Sequence, residues 1–109
     1  HINAMNDKSI DGTMTLYFPN RASTGKFTGK EFASIIQNEL LKTLNTTDRK
    51  IIERPNLVVL RYTAMPAAIA EIAFLTNSAD RKKLETEDFR QKTAEALGKA
   101  VIDSLKKIG

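Results

Sequence analysis

The sequence has 109 residues, 41% apolar and 28% charged, which suits one small globular domain and no more. It contains no cysteine, which excludes disulfide frameworks and thiolate metal sites. No apolar run approaches the ~20 residues of a membrane-spanning helix, and the net charge of +4 favours polyanionic surroundings (nucleic acid, anionic lipid or an anionic cell wall) without choosing among them.

Residues 1–12 are polar and turn-rich and end in Ile10-Asp11-Gly12. Thr13 to Phe18 reads as a short strand stopped by Pro19-Asn20, and residues 19–29 as a polar loop. Thr28 and Glu31 have the spacing of a capping box. The helix they open carries Phe32, Ile35, Ile36, Leu40 and Leu44 on one apolar stripe and fades at Leu44-Asn45-Thr46. Residues 46–56 read as a charged connector, Leu57 to Leu60 as a short β-branched strand, and Arg61 to Pro66 as a loop. Ala67 to Leu75 reads as a buried strand. Thr76-Asn77-Ser78 ends it and caps a short helix at about 79–84. Thr86 caps a last, long helix with Glu87 and Asp88 in its first turn, Lys106 and Lys107 in its last, and an expected buried stripe of Leu97, Val101, Leu105 and Ile108.

Strands this apolar need cover on both faces, so the expected class is α/β, a mixed and mostly parallel sheet flanked by helices. Three short strands and two long helices make a thin core. With His rather than Met in first position, this predicts an N-terminally truncated domain whose upstream part supplied more strands.

One residue breaks the pattern. Glu71 interrupts the apolar run Ala67 to Leu75, and a carboxylate there is costly unless it has a partner or a task. It is either half of a buried ion pair with a base such as Arg61, or a general acid/base or metal ligand at the end of a strand. The only histidine, His1, is either a disordered end or a zinc ligand through its imidazole. Catalytic zinc usually takes three protein ligands, and this sequence has neither two further histidines nor any cysteine to give. The basic clusters Arg81-Lys82-Lys83 and Lys106-Lys107 lack aromatic interleaving or a nucleic-acid-binding signature, and read as solvated surface. There is no phosphate-binding glycine loop, and Ser23, Ser34 and Ser78 lack a nucleophile-elbow context.

Two blocks resemble a known family. His1-Ile2-Asn3-Ala4, followed by Asp11 to Phe18, is similar to the middle of the zinc-dependent N-acetylmuramoyl-L-alanine amidases, where a histidine precedes Asn-Ala and then a glycine-led strand with an aromatic. The run VLRYTAMPAAIAEIAFLTN, Val59 to Asn77, resembles that family's VLR…MPAvLvEiGFlsN segment, and the likeness extends from residue 1 to about 107. Ala73 stands where the family usually has glycine, and Ala70 where it often has a larger aliphatic residue.

The resemblance implies that residues 1–109 are the C-terminal portion of a catalytic domain. It makes His1 the third zinc ligand and Glu71 the catalytic glutamate; the other two ligands, a histidine and a glutamate, lie upstream of such a segment. It implies zinc-assisted hydrolysis of the amide between the muramic acid lactyl group and L-alanine. Peptidoglycan would be the partner, in an extracytoplasmic setting, and nucleic acid is not expected. Asn3 and Arg61 are candidates to contact the substrate. The isolated 109-residue segment is expected to be inactive, and the alternative is a non-catalytic, amidase-like module that binds peptidoglycan or a protein.

Overall fold

The structure, a computed structural model, describes residues 1–19 and 27–109. The expected loop at 19–29, with Ser23, falls mainly on residues 20–26, outside the described residues. Among the described residues the elements in chain order are β1 (Thr13–Tyr17), α1 (Gly29–Leu44), β2 (Asp48–Glu53), α2 (Val58–Arg61), β3 (Ala68–Glu71), α3 (Ser78–Leu84) and α4 (Glu87–Ile108). The sheet order is β2-β1-β3, with β1 parallel to β2 and antiparallel to β3. The α/β expectation holds: α1 lies on the sheet and α4 packs on α1.

α1 begins where its sequence says it should, with Thr28 Oγ1 accepting the Glu31 amide at 3.1 Å. It ends at Asn45 in the left-handed conformation that asparagine tolerates. Ile36, Leu40 and Leu44 are buried, and Phe32 and Ile35 pack beside them. Where α1 crosses β1, the seam is polar. Thr15 Oγ1 donates to Gln37 Oε1 at 2.9 Å, while Gln37 Nε2 donates to the Thr13 carbonyl at 2.8 Å and to Asp48 Oδ1 at 3.0 Å. The bond from Gln37, the largest influence on it, holds the Asp48 carboxyl below its ordinary pKa.

Three expectations change. The charged connector contains a strand, β2, with only two apolar residues, Ile51 and Ile52. Its register slips between the Thr13–Asp48 and Thr15–Ile51 pairs, where Lys50 takes a positive φ of 70°. Asp48 supports that turn, its Oδ1 accepting the Lys50 amide at 2.7 Å. A bulge and charged side chains are devices that suit an edge strand. The run Leu57 to Leu60 forms the turn of helix α2 instead of a strand. Local bonds from the Arg61 and Tyr62 amides to the Leu57 and Val58 carbonyls satisfy its backbone, and only Leu60 reaches the interior while Val58 and Val59 stay exposed.

The stripe of α4 is also rotated from the expected one. Phe89, Thr93, Ala96, Ala100 and Ser104 are buried. Leu97 packs at the edge of the core, and Val101, Leu105 and Ile108 are 45%, 61% and 54% exposed. Small residues let α4 approach α1 closely. The two buried hydroxyls cost little because Thr93 and Ser104 donate back to the Phe89 and Ala100 carbonyls, each at 2.7 Å.

Candidate active site around His1 and Glu71

The run Ala67 to Leu75 is not one strand with one neighbour. Its first half, β3, pairs with β1, and Met14–Glu71 is the last rung of that ladder. Beyond Glu71 the run takes a new partner, the N-terminal segment. The Ile72 amide donates to the His1 carbonyl at 3.1 Å, the Asn3 amide to the Ala73 carbonyl at 2.8 Å, and the Leu75 amide to the Asn3 carbonyl at 2.8 Å. The N-terminal ammonium of His1 donates to the Ala70 carbonyl at 2.9 Å. Residues 1–3 therefore run parallel to 70–75, with Asn3 bridged to Phe74. His1 bonds to Ala70 and Ile72, the two residues that flank Glu71.

Adjacent residues of neighbouring strands bring their side chains together on one face. Accordingly His1 Nδ1 lies 2.9 Å from Glu71 Oε1 and 3.0 Å from Oε2. The Glu71 side chain is 8% exposed and that of His1 is 69% exposed. The carboxyl group thus has a hydrogen-bonding partner, and that partner is His1 rather than Arg61. Burial pushes the Glu71 carboxyl above its ordinary pKa, and the N-terminal ammonium partly opposes the rise. A carboxyl raised in this way is suited to exchanging protons nearer neutrality.

Of the four candidate residues, the structure brings His1 and Glu71 together. Asn3 is close in the chain, but its side chain serves the backbone: Oδ1 accepts the Ala4 amide at 2.9 Å and Nδ2 meets Met14 Sδ at 3.7 Å. Arg61 is exposed at the end of α2, its guanidinium 5.4 Å from the centre of the Tyr62 ring. The connection carrying it leaves β2 at Glu53 and enters β3 at Ala68, the residues aligned with Tyr17, so it leaves and rejoins the sheet at the end opposite Glu71.

Among the described residues, no three His, Cys, Asp or Glu side chains converge as a metal site would require. Nδ1 of His1 is held by Glu71, and Nε2 makes no hydrogen bond among the described residues. An exposed imidazole beside a buried carboxylate fits one corner of a zinc site, and further ligands have to come from elsewhere. One further buried carboxylate carries no mark in the sequence. Asp80, 1% exposed, accepts the Gly12 and Phe74 amides, both at 2.9 Å. Its position three residues after the capping Asn77 signals a helix start, not burial.

Comparison with known proteins identifies the family. Residues 1–103 match the family Amidase_3, N-acetylmuramoyl-L-alanine amidase. The chain is 36% identical over 108 residues to an uncharacterized cell wall amidase of Bacillus anthracis, covering 94% of this chain and 20% of the relative. It is 32% identical over 97 residues to the N-acetylmuramoyl-L-alanine amidase LytC of Bacillus subtilis, covering 89% and 19%. Among solved structures, an N-acetylmuramoyl-L-alanine amidase from Clostridium difficile 630 superposes with a TM-score of 0.88 at 32% identity, over all of this chain and 56% of that one. The catalytic domain of CwlV from Bacillus (Paenibacillus) polymyxa var. colistinus gives 0.84 at 28% identity, over 97% and 55%. The chain thus spans about a fifth of those two curated relatives and just over half of the two solved chains. With a family match over residues 1–103 and relatives of 36% and 32% identity over most of its length, the chain belongs to the N-acetylmuramoyl-L-alanine amidase family.

Proposed function

We propose that these residues are the C-terminal portion of a catalytic domain that hydrolyses the amide bond between N-acetylmuramic acid and the L-alanine of the peptidoglycan stem peptide, outside the cytoplasm. The observation that supports this best is the His1–Glu71 pair, set where the run Ala67 to Leu75 changes partners. Glu71 is the proton-transfer group. Its carboxylate takes a proton from the attacking water and passes one to the departing L-alanine amine. Its burial raises the pKa, the direction that favours proton exchange, and the ladder on either side fixes where its oxygens stand. His1 would hold zinc through its imidazole, with the remaining ligands supplied outside the described residues. When bound, zinc polarises the scissile carbonyl and acidifies a water. Asn3, bonded to its own backbone, serves to shape the segment that carries His1.

The donor set, incomplete among the described residues, supports a second reading for the segment on its own, a folded, non-catalytic, amidase-like module. Elemental analysis together with a peptidoglycan assay tests both. After dialysis against zinc-free buffer, the 109-residue chain should retain well under one zinc per molecule and release no peptides with new N-terminal L-alanine. The same residues joined to the ligand-bearing upstream half of a relative should do both. Failure of that joined domain to release such peptides would overturn the amidase reading, and stoichiometric zinc on the 109-residue chain would overturn the assignment of ligands elsewhere.

A further inference from the structure

The antiparallel ladder that holds Glu71 stops at the residue itself. Past the Met14–Glu71 rung, β1 leads back to Gly12 and the other chain leads on to Phe74. Thr13 Oγ1 makes the next link, donating to the Ile72 carbonyl at 3.0 Å. Beyond it, two backbone amides, those of Gly12 and Phe74, are left without a carbonyl between them, and two donors cannot bond each other. Asp80 Oδ2 accepts both at 2.9 Å. The carboxylate stands in for the missing rung.

This placement bears on the pair at Glu71. Phe74 is fully buried and is the residue to which Asn3 is bridged. The Ala73 carbonyl and the Leu75 amide, on either side of it, bond Asn3, while the Phe74 amide bonds Asp80. The stretch 73–75 is thus held from both flanks, by Asn3 on one and by Asp80 on the other. Gly12, the other end of the clamp, has φ 107° and no room for a side chain, since a Cβ would meet the Thr47 carbonyl oxygen at 2.4 Å. Asp80 also carries a cost. Its Oδ1 is buried without a hydrogen bond, the nearest charge being Lys83 Nζ at 4.0 Å. A buried carboxylate half satisfied in this way calls for an explanation, and the doubly bonded Oδ2 supplies one, because charge-assisted bonds are the strong ones.

We propose that Asp80 is a positioning residue for the His1–Glu71 pair: by clamping Gly12 and Phe74 it fixes the backbone on which the His1–Asn3 segment docks. Its importance for hydrolysis rests on the amidase reading, but the clamp itself is testable on this chain without any activity.

The test is amide hydrogen exchange by NMR on the 109-residue chain and two variants. Asp80→Ala removes the acceptor, and exchange at Asn3, Ile72, Phe74 and Leu75 should speed up by about thirtyfold or more. Asp80→Asn keeps an uncharged acceptor oxygen and should partly rescue the same four amides, to about three- to tenfold above wild type. The Arg54 amide, which donates to the Tyr17 carbonyl on the far side of the sheet, should be unchanged in Asp80→Asn. If Asp80→Ala does not fold, Asp80→Asn decides alone. No change at the four amides, or an equal acceleration at Arg54, would overturn the proposal.

Discussion

The imidazole of His1 and the carboxylate of Glu71 are 70 positions apart in sequence and in direct contact, Nδ1 lying 2.9 Å from Oε1. Their meeting is a product of backbone pairing. The His1 carbonyl and α-amine are bonded to residues on either side of Glu71, so the two side chains emerge on one face. In the proposed reaction this places a proton-transfer group directly beside a metal ligand.

The raised Glu71 pKa has a consequence for stability, with a definite sign. The folded chain holds the Glu71 proton at pH values where the unfolded chain has lost it, because burial dominates over the opposing ammonium. Stability should therefore fall as pH rises from the ordinary glutamate pKa through the raised one. Urea midpoints measured across pH 4 to 8 should show this decline in the wild type and a shallower profile in Glu71→Gln. Identical profiles for the two would refute the assignment.

The rotated stripe of α4 separates two kinds of substitution. Ala100 is fully buried against α1, so Ala100→Leu should cost about 1–3 kcal/mol through overpacking. Leu105 is 61% exposed, and Leu105→Ala should change stability by no more than about 0.5 kcal/mol. Chemical denaturation measures both. The reverse ranking would restore the stripe expected from side-chain size.

The polar seam between α1 and β1 predicts a third effect. Gln37→Leu leaves the buried Thr15 hydroxyl and Thr13 carbonyl without their partner, at about 1–3 kcal/mol. It also frees Asp48, whose pKa should rise toward its ordinary value, a change carbon NMR can follow. A stability within experimental error of wild type would mean that water replaces the amide.

These same residues mark what a sequence reading reaches and what it misses. α1, α3 and α4 were legible because their caps, Thr28, Asn77 and Thr86, are local chemistry written within three residues of each helix start. Glu71 was legible as an anomaly because a single charge in an apolar run is visible without a structure. β2 was hidden because an edge strand with a bulge needs few apolar residues, and Asp48-Arg49-Lys50 looks like a loop. The α4 face is hidden because side-chain size does not decide burial there: close helix contact selects Ala96 and Ala100. α2 defeated β propensity because its backbone bonds were satisfied locally. The partner of Glu71 could not be read from composition, since the pairing of residues 1–3 with 70–75 is set by the sheet. Asp80 was missed for a related reason: its role is to bond amides from Gly12 and Phe74, which no local pattern announces.

The central claim is that Glu71 moves the proton in amide hydrolysis. Its most direct test is the turnover number for release of L-alanine-terminated peptides from muropeptides, in the complete domain carrying these residues, for wild type and Glu71→Gln. The amide keeps the size of the carboxylate but cannot take up a proton. The account predicts a loss of about 10²–10⁴ in kcat, with zinc content and the thermal midpoint largely unchanged. Turnover within a few-fold of wild type would contradict it, as would a loss of activity matched by loss of the fold.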